Sequence, residues 1–134
     1  MVRRISALLA AFEPPHETSL GVNELARRTA IPKATVSRLV KDLESVGFVE
    51  RNGRKVVLGL RLFELGERAS RRRSVREVAL PFMADLREAS GQTIHLAILD
   101  GTDVVYVEIL RGRDAPPRFP PSAVGRRLPA HATG

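Results

Sequence analysis

The stretch that decides the fold is "KATVSRLVKDLESVGFVERNGRKVVLG", which runs from Lys33 to Gly59. In its first half, apolar residues recur at helical spacing: Val36, Leu39, Val40, Leu43 and Val46. Steps of three and four residues place them on one face of a helix, so the pattern predicts a buried stripe over about 33–46. The other face carries hydroxyls and positive charges, a composition typical of a surface that contacts a polyanion.

A second, shorter helix is predicted immediately upstream. Asn23 is a favourable N-cap residue, so we expect a helix over 24–29. Pro32 disfavours helical angles at the residue before it and therefore predicts a break at 30–32. Two helices joined by three residues match a helix-turn-helix. Ala30 lies in that turn, where a positive φ would cost about 1 kcal/mol.

The start of the chain predicts another helix rather than a signal peptide. Its apolar residues recur at helical spacing: Val2, Ile5, Leu8, Leu9 and Phe12. No small-residue cleavage site follows them. Two prolines at 14–15 end this pattern, and the segment "HETSLG" at 16–21 is predicted to be a linking loop.

A β-hairpin is predicted after the main helix. Gly47 occupies the position where a left-handed residue ends a helix, and two strand-like runs, 48–51 and 54–58, flank Asn52-Gly53. Asn-Gly favours a type I′ turn, with positive φ at both central residues. Cations surround the expected tip, and a helix-turn-helix followed by such a hairpin is a winged helix.

A protruding helix of this kind fits the DNA major groove. Arg38 can make paired hydrogen bonds to a guanine edge, while Lys33 and Lys41 suit phosphates. The predicted DNA contacts are Lys33, Ala34, Thr35, Ser37, Arg38 and Lys41 on the helix, and Arg51, Arg54 and Lys55 in the wing. The alternative is a helix face that is merely solvated.

The distribution of charge favours the DNA interpretation. Residues 1–73 hold 15 Lys and Arg against 8 Asp and Glu, whereas residues 74–134 hold 7 of each. The whole excess of +7 therefore lies in the first half of the chain. Solubility alone does not require such asymmetry, whereas a polyanionic partner would use it.

Other classes of protein find no support in the sequence. The chain has no cysteine, which excludes disulfides and thiolate metal sites. Its three histidines, His16, His95 and His131, lie far apart without metal-ligand or catalytic spacing. No apolar run approaches the roughly 18 residues that span a bilayer. We therefore expect a cytoplasmic non-enzyme without cofactor or metal and without a membrane partner.

A linker helix is predicted from Leu60 to about Arg71, with two apolar stripes. Leu60 and Phe63 form one stripe, and the other comprises Leu62, Leu65, Gly66 and Ala69. One stripe can pack on the winged domain while the other meets a partner subunit. Burial of both stripes within one chain is the alternative.

A kinked helix and a strand pair are predicted in the second half. Ser74 and Glu77 have the spacing of a capping box, and Pro81 should kink or restart the helix. The expected buried face comprises Val78, Phe82, Met83 and Leu86. "TIHLAIL" and "DVVYVEIL" predict antiparallel strands, followed by a proline-rich loop at 111–122. This small core predicts a second half that is less stable than the winged domain.

Several ordered segments resemble the IclR family of bacterial transcriptional regulators. The segment at 20–51, "LGVNELARRTAIPKATVSRLVKDLESVGFVER", and then "VVLGLRLFELG" at 56–66, are similar to its winged helix and linker helix. The segment at 74–110, which includes both predicted strands, resembles the opening of its effector-binding domain. The closing "VGRRLPAHATG" is similar to the loop that leads into the ligand pocket.

The resemblance implies an α+β chain with three parts. These are a winged helix-turn-helix DNA-binding domain at 1–59, a linker helix at 60–73 and the N-terminal part of an α/β effector-binding domain at 74–134. It also implies a homodimer or higher homo-oligomer on double-stranded DNA and a small organic effector. The effector-binding residues would include Leu128, Ala130, Ala132, Thr133 and Gly134.

The length of the second half predicts an incomplete effector domain. Gly134 falls where the family's domain continues, so constitutive DNA binding, or mixed dimers with a full-length relative, stand as alternatives to effector control. Two other functions stay open at this stage. One is a winged helix that serves dimerisation or protein interaction without DNA, and the other is a non-functional remnant of a longer regulator.

Overall fold

The computed structural model describes residues 1–12, 18–68, 70–113, 115 and 123–132, and it divides the chain into two compact units. The first unit is Met1–Arg68 and the second is Ala69–Gly134. In the first unit the helices are α1 (Val2–Ala10), α2 (Val22–Thr29), α3 (Lys33–Ser45) and α4 (Leu60–Glu67). Its strands, β1 (Ser19–Gly21), β2 (Val49–Asn52) and β3 (Lys55–Leu58), form an antiparallel sheet in the order β1-β3-β2.

The first unit has one hydrophobic core, to which α1, α2, α3 and the sheet all contribute. Eleven buried residues form it: Leu8, Phe12, Leu20, Leu25, Ile31, Val36, Leu39, Val40, Leu43, Val49 and Val56. Four of them are the predicted stripe of α3. The fifth member of that stripe, Val46, is 56% exposed, because α3 ends at Ser45 and Val46 is the C-cap residue. Val2, at the start of α1, is also exposed rather than packed.

The turn of the helix-turn-helix holds a non-glycine residue at positive φ, the case for which the sequence analysis gave a cost. Ala30 adopts φ 54° and ψ 23°, in the left-handed region. The Thr29 hydroxyl donates to the Leu25 carbonyl at 2.7 Å and accepts a hydrogen bond from the Ile31 amide at 3.4 Å. Ile31 itself is buried, so both its side chain and its backbone hold the turn in place.

An ion-pair network ties α2 to the end of α1. Glu24 accepts hydrogen bonds from Arg27 and Arg28, and these two guanidinium groups lower the pKa of Glu24 from 4.5 to about 2. Arg28 also donates to the backbone carbonyl of Ala11 at 3.1 Å. The network places Arg28 in a structural contact within the unit.

Two predictions at the entry to α2 are wrong. The segment at 19–21 is the strand β1, which pairs with β3, rather than a loop. As a result α2 begins at Val22, with extended Gly21 as its N-cap residue, and Asn23 lies inside the helix instead of capping it. A strand of three residues is too short to show a period-2 pattern, and it forms because β3 offers an unpaired edge.

The hairpin forms as predicted, but its turn is shifted by one residue. Asn52 pairs with Lys55, so the two central residues of the turn are Gly53 and Arg54. Gly53 has φ +61°, and neither Asn52 nor Arg54 has a positive φ. Positive φ at the first central position alone is the pattern of a type II′ turn, not the predicted type I′. Gly47, with φ +75°, confirms the predicted left-handed residue after α3.

The second unit contains a long helix and a second antiparallel sheet. The helix is α5 (Ser70–Ser90), and the sheet has the order β4-β5-β6, from β4 (Ile94–Asp100), β5 (Asp103–Leu110) and β6 (Arg127–Pro129). A short 3-10 helix, η1, covers Ala130–Ala132. The predicted β4–β5 pair is confirmed, with an irregularity in register between Leu96 and Ala97. Most of the predicted proline-rich loop lies outside the described residues.

The structure corrects two predictions about α5 and excludes one of the two outcomes predicted for Pro81. It begins at Ser70, so Ser74 lies inside the helix instead of capping it, because the three arginines before Ser74 are good helix formers. The helix continues through Pro81 without restarting. Of the expected buried face only Met83 is buried; Val78, Phe82 and Leu86 are 68%, 66% and 56% exposed. The face toward the sheet is rotated, and includes half-buried Ala79, Leu80 and Arg87.

Candidate nucleic-acid interface

The outward face of α3 carries the residues that the sequence singled out. Of the six predicted contacts on this helix, five are exposed: Lys33, Ala34, Ser37, Arg38 and Lys41. The sixth, Thr35, is half-buried near the start of the helix. They alternate with the buried stripe, which fixes the rotation of the helix about its axis. Lys41 follows Lys33 by eight positions, a rise of about 12 Å along the helix axis, which is comparable to the width of the major groove.

The cations of this face are not neutralised by ion pairs with the acids described in the structure. Within the described part of the chain, Lys33, Arg38 and Lys41 form no ion pair. The start of α3 also has no side-chain cap and no acidic residue in its first turn. An uncapped helix N-terminus favours anions, because its backbone N–H groups point outward and the helix dipole is positive there.

The wing presents its three cations in two different settings. Arg54 in the turn and Lys55 at the start of β3 are exposed and have no ion pair among the residues described. Arg51 differs, because its Nε lies 3.2 Å from Glu44 Oε2 near the end of α3. The sequence placed the three together at the tip, and the pairing of Arg51 gave no local signal, since seven residues separate it from Glu44.

Two hydrogen bonds donated by backbone amides connect the wing region to the start of α4. The Gly59 amide donates to the Phe48 carbonyl at 2.9 Å, and the Leu60 amide donates to Glu50 Oε1 at 3.2 Å. A Cβ at Gly59 would lie 2.2 Å from the Gly47 carbonyl oxygen, so only glycine fits at this close approach. The sequence did not indicate this junction, because Gly59 was identified only as the last residue of the predicted winged-helix domain.

The helix α4 exposes much of its apolar surface. Leu60 and Phe63, one predicted stripe, are 65% and 63% exposed, and none of the residues of α4 is fully buried. From the second stripe, Leu62 is half-buried, Leu65 and Gly66 are exposed, and Ala69 lies outside the described residues. A shallow groove beside α4 is lined by Glu50, Leu58, Gly59, Leu60, Leu62 and Phe63.

The predicted effector-binding residues lie at the end of the second unit. Leu128 is in β6 and Ala130 begins η1, and both are half-buried. The Ala130 amide donates to the Thr102 carbonyl at 3.0 Å, which fixes η1 beside the β4–β5 turn. The backbone of Ala132 belongs to η1, whereas Thr133 and Gly134 lie outside the described residues.

Of the two described histidines, His95 is half-buried. It lies in β4 with its ring 5.3 Å from that of Tyr106, at an interplanar angle of 47°. Burial, assisted by the nearby charge of Arg111, lowers the pKa of His95. His131 is exposed in η1, and His16 lies outside the described residues.

Comparison with known proteins decides the family. The model of the IclR helix-turn-helix domain matches residues 1–53, and the model of the bacterial transcriptional regulator IclR C-terminal domain matches residues 67–134. The second match alone covers just over half of the chain. The chain belongs to the IclR family.

Individual IclR relatives match almost the whole chain. It is 35% identical over 134 residues to the HTH-type transcriptional regulator XynR of Escherichia coli K12, covering 98% of this chain and 52% of that protein. It is 34% identical over 118 residues to the regulator KipR of Bacillus subtilis 168, covering 87% and 46%. The chain thus spans about half the length of the curated relatives it matches.

A solved IclR structure shares the fold. The crystal structure of an IclR homolog complexed with 4-hydroxybenzoate, from Microbacterium hydrocarbonoxydans, matches with a TM-score of 0.86 and 33% identity. The match covers 98% of this chain and 54% of that chain. The α+β fold class predicted from the sequence and the family resemblance are both confirmed. The predicted site residues and the division into 1–59, 60–73 and 74–134 stay predictions.

Within the described part of the chain, no helix combines the length and the apolar composition that crossing a bilayer requires.

Proposed function

We propose that the chain regulates transcription by binding operator DNA through α3 and the wing. The observation that carries the proposal is the exposed stripe of Lys33, Arg38 and Lys41, whose charges meet no acid among the described residues. Elsewhere in this unit arginines do pair with nearby acids, Arg27 with Glu24 on α2 and Arg61 with Glu64 on α4. A row of phosphates is the partner that this spacing suits.

The proposed DNA contacts are of two kinds: contacts to phosphates, which position the helix, and a contact to a base edge, which recognises the sequence. Lys33 and Lys41, at the two ends of the stripe, would bind phosphates together with the amides at the start of α3. Arg38, between them, would donate two hydrogen bonds to a guanine edge, with small Ala34 and Ser37 permitting close approach. Arg54 and Lys55 would follow the backbone beside the groove.

We propose a homodimer as the DNA-binding form. Support comes from α4, whose Leu60 and Phe63 expose large apolar surfaces that a second copy would cover. Two copies would place their α3 helices in successive major grooves, about 34 Å apart, on an operator with two-fold symmetry. Selection of bound duplexes from a random pool tests this directly. Two inverted half-sites support the dimer, and a single asymmetric site contradicts it.

We propose that a small organic effector changes the DNA affinity, through the end of β6 and η1. The related structure holds 4-hydroxybenzoate, so this compound is the first to test. Operator binding is measured with and without it, and benzoate lacking the hydroxyl serves as the control. An affinity for DNA that no effector alters favours the constitutive alternative.

Substitution of Arg38 by alanine separates base reading from charge. We expect Arg38→Ala to weaken operator binding by roughly 1–3 kcal/mol and to relax preference at one base pair. Arg61→Ala removes the same charge from the same unit but from α4, where Arg61 pairs with Glu64, and should leave specificity unchanged. Fluorescence anisotropy on operator and scrambled duplexes gives both quantities. Equal losses on both duplexes would make Arg38 a phosphate contact.

A further inference from the structure

The wing cation Arg51 is directed toward α3. Along β2 the side chains alternate between the two faces of the sheet. Arg51 lies opposite buried Val56 in the ladder and two residues from buried Val49, so the three share the core-facing side. At the edge of that core, Arg51 Nε donates to Glu44 Oε2 at 3.2 Å.

Glu44 belongs to the same face of α3 as the proposed DNA contacts. It follows Lys41 by three residues and Ser37 by seven, so it continues their polar stripe by one turn toward the C-terminus. Glu44 is thus an anion at the end of a cationic stripe, and its carboxylate is paired with a wing cation. A phosphate that approached this end of the helix would meet Glu44 and Arg51 together.

The pair is weak enough for a phosphate to exchange with it. Its Nε–Oε2 distance of 3.2 Å exceeds the roughly 2.7–2.9 Å typical of charge-assisted hydrogen bonds. Both side chains are about two-fifths exposed, at 41% and 38%. Ion pairs of such exposure contribute little to stability, because water screens them. On DNA, Arg51 would therefore exchange one anion for another and would gain little.

We infer that Glu44 is a positioning residue that competes with DNA for Arg51. In its presence Arg51 holds the wing against α3 and adds little to DNA affinity, so Arg54 and Lys55 supply the wing's contribution. This inference rests on the proposed DNA-binding function and deepens it, because it assigns an affinity-limiting role to an acidic residue of the recognition helix.

Replacement of Glu44 by glutamine tests the competition. We expect Glu44→Gln to release Arg51 as a phosphate contact, tightening operator binding about three- to fivefold. The slope of log affinity against log salt should steepen by about 0.9, the value for one added contact. Asp42→Asn is the matched control, since Asp42 is an exposed acid of the same helix with no ion pair among the described residues. It should change the salt slope much less.

A double-mutant cycle assigns the effect to Arg51. With Arg51→Met in place, Glu44→Gln should give no more than the small gain of Asp42→Asn. A gain that persists without Arg51, or a Glu44→Gln variant that binds DNA more weakly, overturns the inference. Thermal unfolding of each variant confirms that all are folded.

A measurement without DNA tests the ion pair separately. The Arg51 Nε–H signal in a nitrogen-proton NMR spectrum should move on Glu44→Gln and stay in place on Asp42→Asn. An unmoved signal overturns the inference even where operator binding is normal. A wild-type chain that binds no duplex overturns the proposed function and the inference together, so the two failures are distinguishable.

Discussion

At the residue scale, Ala30 shows how one position can carry strain for a whole motif. The turn between α2 and α3 requires a left-handed residue, and alanine occupies it at φ 54°. For a residue with a Cβ this conformation costs on the order of 1 kcal/mol. The surrounding contacts supply the compensation, since Thr29 satisfies two backbone groups and Ile31 is buried.

Glycine at this position should stabilise the protein. We expect Ala30→Gly to lower the strain and raise the unfolding free energy of the first unit by up to about 1 kcal/mol. Ala34→Gly is the control, because Ala34 is exposed inside α3, where glycine costs about 1 kcal/mol. The two variants should shift the denaturant midpoint in opposite directions. A shift in the same direction would mean that Ala30 is not strained.

At the element scale, the elements with long, regular patterns could be predicted, whereas those that depend on distant partners could not. The buried stripe of α3 was visible because its period persists over several turns, and β4 and β5 were visible as runs rich in β-branched residues. The strand β1 was missed because its three residues depend on β3. The exposed face of α5 was misjudged because two apolar stripes compete, and only packing against the sheet chooses between them.

The close approach of Gly59 to Gly47 predicts a large effect from one methyl group. We expect Gly59→Ala to destabilise the first unit by about 1–3 kcal/mol, because its Cβ would lie 2.2 Å from a backbone oxygen. Gly66→Ala, also in the α4 region, meets nothing within 4 Å and should stabilise by up to about 1 kcal/mol. Urea unfolding distinguishes them. Equal stabilities would show that the junction can open without cost.

At the scale of the whole molecule, the two units differ in how much they bury. The first has eleven buried core residues, whereas Met83, Val105 and Val107 are the buried apolar residues of the second among those described. Its helix α5 also exposes Val78 and Phe82. The sequence allowed this contrast to be predicted, because a single helix on two strands provides little apolar area.

We therefore expect unequal protection against hydrogen exchange. Amides of α3 and β3 should exchange more slowly than those of β4 and β5, because fewer buried contacts hold the second unit closed. Mass spectrometry of deuterated peptides measures both at once. Equal protection in a monomeric sample would contradict the prediction.

For the proposed dimer on operator DNA, the hydrogen bonds from Gly59 to Phe48 and from Leu60 to Glu50 have a geometric consequence. They fix the direction in which α4 leaves the wing. In a dimer joined through α4, the separation of the two wings would then be built into this joint. One residue inserted within the first turn of α4 would rotate the rest of that helix by about 100° relative to its own wing. Relatives that differ in length at this point would accordingly recognise half-sites with different spacers.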